Sequence, residues 1–220
     1  MTRDLNMVGA TAQPARRGRP PGRTAQQEKQ RQANRAAIVA AAAGVFATKP
    51  YIHATIDDII AAAGISRATF YFHFESKLAL AFEIYESIAV DWLDHFDRLK
   101  QIDLSDIGEL RLWTRDLVQL YVDHGYVTPL VEQLAVFEGT FRQRLQQDID
   151  RLIVRLAQDG IAGCVRAVAP GPEQAIRQAR VQLLMKRLDQ LCGTIARGET
   201  TLEPDAYLTV MAEELSAQLG

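Results

Sequence analysis

The stretch SRATFYFHF, Ser66 to Phe74, sorts its side chains by what they can touch. At helical spacing Ile65, Phe70 and Phe74 fall on one side, apolar and suited to a core. Arg67, Ala68, Thr69 and Tyr71 fall on the other, with Phe72 and His73 at the edges. The outer set suits double-stranded DNA. Alanine and threonine are small enough for close approach to base edges, and arginine offers donors to the purine acceptors of the major groove. Hydroxyl and cationic groups at the flanks, here Ser66, Tyr71 and Lys77, suit phosphates. A second group lies upstream, where ARRGRPPGR (Ala15–Arg23) sets four arginines among two glycines and two prolines. Prolines lack an N–H and glycines carry excess chain entropy, so this stretch argues against a helix. It reads as a solvated linker or as an arm shaped to lie on nucleic acid.

Catalytic and metal chemistry find no comparable support. His53, His73, His95 and His124 are scattered, and no Ser/His/Asp or Cys/His arrangement, phosphate loop or zinc spacing is present. No enzyme activity, cofactor or metal is expected. Cys164 and Cys192 are too few for a disulfide framework and read as free thiols of a cytoplasmic protein. There is no membrane-length apolar run, and MTRDLNMVGATAQPA lacks the apolar centre of a secretory signal. Charge is unevenly placed. Residues 1–77 hold 11 basic and 5 acidic side chains, net +6, and residues 78–220 hold 14 and 22, net −8. A basic front suits a polyanion and an acidic back does not.

Helices must position these groups. From Ala25 to Thr48 the chain is alanine-rich, with Ala37, Ile38, Ala41, Val45 and Phe46 on one face. Thr55, followed three residues later by Asp58, reads as a capping box, and Gly64 as the left-handed residue that ends a short helix. Ser66 then caps the next, so two short helices meet at a glycine turn, a helix-turn-helix pattern. A long amphipathic helix follows from Ser76 to about Leu99. Further helices are expected over 106–123, from Pro129, over 140–159, 173–196 and 204–219. GIAGCVRAVAPGPE, 160–173, reads as a loop. No strand pattern occurs, so the expected fold class is all-α.

TIDDIIAAAGISRATFYFHFESK, Thr55–Lys77, strongly resembles the DNA-binding signature of the tetracycline-repressor (TetR) family. Thr55, Ile59, Ala63, Gly64, Ser66, Phe70, Tyr71, His73, Phe74 and Lys77 match in register, while Ile60 and Ala68 depart from it. The resemblance covers roughly residues 33–80. It implies a three-helix helix-turn-helix head and a larger helical body that dimerises and binds a small effector, hence a homodimeric repressor on a near-palindromic operator. The implied organisation is a flexible basic arm over 1–24, a DNA-binding domain over 25–77 and an effector-binding and dimerisation domain over 78–220. Carried over by position, Arg67, Ala68 and Thr69 approach bases, with Ser66 at the helix start. Thr55, Tyr71, His73 and Lys77 touch the backbone. PARRGRP (Pro14–Pro20) in turn resembles the AT-hook. Extended Arg17-Gly18-Arg19 fits a narrow A·T-rich minor groove, the alternative being general phosphate attraction.

For the body, Leu184, Leu188, Leu191, Ile195, Leu208, Met211 and Leu215 form apolar stripes on the last two helices. The resemblance implies that they form a bundle with the same helices of a second copy, and the alternative is an intramolecular core. Trp92, Phe96, Trp113, Tyr121, Tyr126, Phe137 and Phe141 are the aromatic candidates for an apolar or aromatic effector. The competing reading is a DNA protein of architectural or partner-binding type that answers to no effector. Activation instead of repression also stays open, because it depends on where the operator lies.

Overall fold

The computed structural model describes residues 21–220, with backbone alone for 21–24. Arg17 and Arg19 lie outside the described residues. Within them the fold is all-α: α1 (Pro21–Thr48), α2 (Ile56–Ala63), α3 (Arg67–His73), α4 (Lys77–Phe96), α5 (Ile107–Asp123), α6 (Val127–Phe137), α7 (Gly139–Gln158), α8 (Ala162–Val168), α9 (Gln174–Ala196) and α10 (Pro204–Leu219). A short 3-10 stretch, Asp97–Gln101, extends α4. None of these helices is long and apolar enough to cross a membrane.

Two elements differ from the sequence-based expectation. α1 begins at Pro21, inside the stretch whose prolines and glycines argue against a helix. Proline is tolerated there because the first helical turn has no use for its missing N–H, and its φ is already helical. α8 occupies part of 160–173, which reads as a loop. Its Gly163 is a close-approach residue rather than a breaker. A Cβ at that position would run into the carbonyl oxygen of Gln218 and come within 2.7 Å of Leu219 Cα, so only glycine lets α8 lie against the end of α10. Cys164 and Ala167 are fully buried beside it.

The chain divides into two compact units, one ending at Ala36 and one running from Ala37 to Gly220. The described part of the first is a polar helical stretch that carries its own Arg31–Glu28 ion pair at 2.8 Å, one turn apart. The second unit contains two apolar cores. The first joins Ile38, Ala42 and Phe46 of α1 to Ile59 of α2, Phe70 of α3, Leu80, Ile84 and Ile88 of α4, Leu130 and Leu134 of α6, and Phe141 of α7. The second joins the end of α4 to α5, the later half of α7, α8, α9 and α10. α4 therefore serves both. Leu80 to Ile88 belong to the first core, Phe96 and then Leu99 to the second, and Trp92 packs against each.

Candidate nucleic-acid interface

Local hydrogen bonds fix the ends of α2 and α3. Thr55 Oγ1 accepts from Asp58 N at 3.1 Å, and Asp58 Oδ2 accepts from Thr55 N at 2.7 Å, a complete capping box. Lys49 Nζ donates to the same carboxylate at 2.7 Å. The Lys49 and Thr55 hydrogen bonds hold the Asp58 carboxyl well below the usual carboxylate range. Gly64 ends α2 at φ 63°, the left-handed conformation that a side chain would strain. Ser66 starts α3 two residues later, its Oγ accepting from Thr69 N at 3.0 Å. The two hydroxyls of Ser66 and Thr69 share a further hydrogen bond of 2.8 Å.

α3 turns Phe70 into the core, and Phe74 follows at its C-terminal cap, with ring centroids 6.0 Å apart. This anchoring leaves the opposite face open. Ser66, Arg67, Ala68, Tyr71 and Phe72 are exposed, Phe72 the most at 71%, and Thr69 and His73 are half-buried. His73 sits edge-on to the Phe72 ring, centroids 5.0 Å apart. Arg67 donates through Nη2 to Asp57 Oδ1 at 2.5 Å, from the start of α3 back to the first turn of α2. Asp57 was not among the expected site residues. Its signal in the sequence was an acidic side chain in the first turn of α2 that the capping box does not need.

Lys77, expected on phosphates, has carbonyl partners within the chain. Its Nζ donates to the carbonyls of Tyr51 at 2.7 Å and Ala54 at 2.8 Å, and lies 4.2 Å from the centroid of the Tyr51 ring. Burial lowers its pKa. Two of three donors and the charge are spent on the turn between α1 and α2, so the group fastens α4 to that turn. The same turn is held from the body. Tyr51 Oη donates to Glu138 Oε1 at 3.0 Å and Ile52 N donates to Gln133 Oε1 at 3.3 Å. Burial, then Glu138, raises the Tyr51 pKa. Partners more than 80 residues apart leave no pattern in a sequence.

Leu184, Leu188, Leu208, Met211 and Leu215 are buried in the chain's own second core, and Leu191 and Ile195 pack against it. The outward apolar side chains on these helices are Ile176 and Leu183 on α9 and Val210 on α10. The buried members of these stripes are covered by α5, α7 and α8 of the same chain, while Leu191 and Ile195 keep part of their surface exposed. The aromatic candidates do not converge on one site. Phe96, Trp113 and Tyr121 belong to the second core, and Phe141 to the first, which Tyr126 flanks. Trp92 lies edge to face with Tyr121 at 5.2 Å, and Phe96 likewise with Trp113 at 5.3 Å. Phe137 is exposed. A surface cleft of about 310 Å³ between α4 and α5 is lined instead by Asp91, Asp94, His95, Arg98, Asp116, Gln119, Leu120 and Asp123. No three His, Cys, Asp or Glu side chains among the described residues are placed to hold a metal ion.

Residues 38–84 match the model of the family described as bacterial regulatory proteins, tetR family. The chain is 42% identical over 53 residues to the HTH-type transcriptional regulator EthR of Mycolicibacterium smegmatis. That segment is 24% of this chain and spans only 24% of the relative. Similar folds include a TetR-family transcriptional regulator from Mesorhizobium loti, with TM-score 0.57 and 19% identity, covering 86% of this chain and 96% of that one. The fatty acid degradation regulator FadR from Bacillus halodurans matches with TM-score 0.61 and 16% identity, covering 84% and 96%.

Proposed function

We propose, from the premise that this chain belongs to the TetR family of bacterial regulatory proteins, that it regulates transcription by setting α3 into the major groove of an operator. The observation that carries this is the division of α3. Phe70 and Phe74 anchor it from behind, and the open face presents Arg67, Ala68, Thr69 and Tyr71 around a residue small enough for close approach. Ser66, Thr55, Tyr71 and His73 surround that face as phosphate-side groups, and Lys77 supports it from within. The head is taken as residues 25–77 and the effector and dimerisation body as 78–220. Repression by a homodimer on a near-palindrome is the reading preferred, with half-sites about one helical turn, roughly 34 Å, apart. The outward side chains Ile176, Leu183 and Val210 are the dimer contacts this geometry favours over the buried stripe.

An apolar or aromatic effector would enter by opening the packing around Trp92 and Tyr121, where α4 passes from one core to the other. The competing reading, an effector-independent DNA protein, draws support from how closed that packing is.

The test is selection of binding sites from random duplexes with the full chain, then titration of the selected site across a salt series, for the native protein and for Arg17→Ala/Arg19→Ala. The expected result is a near-palindromic site and, for the variant, a loss of affinity largest where A·T pairs flank it. An equal loss on all sequences, with a shallower log–log salt slope, makes the arm a phosphate tether only. No binding to any duplex at low salt overturns the reading.

A further inference from the structure

The Asp57–Arg67 pair raises a question that stability does not answer. Asp58 alone completes the α2 capping box, so Asp57 is spare for that purpose. Both partners are open to solvent, with side chains 59% and 70% exposed for Arg67 and Asp57. Pairs of this kind contribute little to folding. A carboxylate on the face turned to a polyanion also works against affinity, since it cancels the one cation at the start of α3. What the contact does accomplish is geometric. It reaches back ten residues from α3 to α2 and uses one donor, Nη2. Tyr71, one turn further along α3, lies close enough to interact with the same guanidinium. A long side chain with several soft torsions is thereby tied to the first turn of α2 before DNA arrives, so less rotamer freedom is lost on binding. The Asp57 contact takes one of the five donors of the planar fork, and two more suffice for the O6 and N7 acceptors of a guanine.

We infer that Asp57 is a positioning residue which assigns Arg67 to a guanine edge instead of a phosphate, exchanging general affinity for sequence discrimination. This rests on the DNA-reading role of α3 proposed above. The pair acts as a unit: an arginine without its carboxylate is a mobile cation that the nearest phosphate captures, and a carboxylate without its arginine is only a repulsive charge.

The experiment uses the full-length chain and the duplex it selects from random sequence. Arg67→Ala locates the guanine, as the position whose replacement no longer matters to that variant. At that position Asp57→Ala is expected to lower discrimination against other bases on the order of tenfold. Its affinity for unrelated duplex should rise, and its salt slope should grow by about one phosphate contact. Asp57→Asn keeps an acceptor for the guanidinium without the charge, so it should restore part of the discrimination and keep the raised general affinity. Asp57→Ala/Arg67→Ala should match Arg67→Ala in base preference. Undiminished discrimination by Asp57→Ala, or an effect of Asp57→Ala on base preference when Arg67 is already absent, overturns the inference while the DNA-reading role stands. So does a selected site in which no position responds to Arg67→Ala. Failure of the native chain to select any sequence overturns both together.

Discussion

The helices of the first half of the described chain and those of the second are held by different forces. Thr55, Ser66, Ser76 and Asp106 each cap the helix they precede, fixing the starts of α2, α3, α4 and α5 with side-chain hydrogen bonds. No side chain caps α6, α7, α8, α9 or α10. Those helices are placed by burial and by close backbone approach. The difference follows from size. α2 and α3 span eight and seven residues, too short to form on propensity, and each loses a large fraction of its backbone bonds at its ends. α9, with 23 residues, gains enough from one buried face to tolerate open ends. A reading helix also needs a fixed orientation with one face left bare, which polar tethers supply and a fully buried helix does not.

Gly163→Ala attacks the second half where side chains have no part. Overpacking against the α10 backbone is expected to cost about 3 kcal/mol and to lower the melting temperature by several degrees, read by calorimetry. The folded fraction should keep its base preference unchanged; a stability near that of the native chain would show that α8 can move off α10 at little cost.

Lys77→Met attacks the tether. It leaves the carbonyls of Tyr51 and Ala54 without their donor and is expected to cost about 2 kcal/mol. DNA binding by the folded protein should keep its salt slope. A slope smaller by about one contact, at native stability, would return Lys77 to the phosphates.

Ser66→Ala removes one cap. Denaturant unfolding should show a loss of about 1 kcal/mol, and no comparable loss should follow replacement of Glu173 at the uncapped start of α9. Equal effects at both positions would erase the contrast between the two halves.

The smallest effect is on pH. His95 is buried at the end of α4, its ring 3.0 Å from the carbonyl of Trp113, and burial lowers its pKa. The unfolded chain therefore takes up a proton near pH 6.5 that the folded chain resists, and stability falls as pH drops below about 6.5. Asp58, held low by Lys49 and Thr55, contributes stability present above about pH 4 and lost as pH falls below it. Both tryptophans, Trp92 and Trp113, pack in or against the second core and report on it by fluorescence. His95→Gln should flatten the upper step and leave the lower one. A native-like upper step in that variant would place its source elsewhere.

The same contrast explains what could be read from the sequence. Thr55, Asp58, Gly64 and Ser66 act on residues two to four places away, so their spacing alone locates α2 and α3. The division of α3 followed from the same periodicity. Lys77 reads as a phosphate contact, and its two acceptors within the chain, backbone carbonyls 26 and 23 residues back, are announced by no residue type. The stripes on α9 and α10 showed that a face is buried, and periodicity does not say whether a second copy or the same chain covers it. α8 was hidden because Gly163 has the composition of a loop and the function of a contact. Asp57 was visible as a charge, but its partner lies across a turn whose geometry only the fold supplies.

Whether the open face of α3 reads DNA is tested most directly by placing a cleaving group on it. Ala68→Cys introduces a thiol on that face, whereas the native Cys164 and Cys192 are both buried. Tethering an iron chelate there and generating hydroxyl radicals on the selected duplex should cut it at two loci about one helical turn apart, on the major-groove side. Binding without cleavage from position 68, or cleavage only from a thiol placed on the body, would contradict that reading.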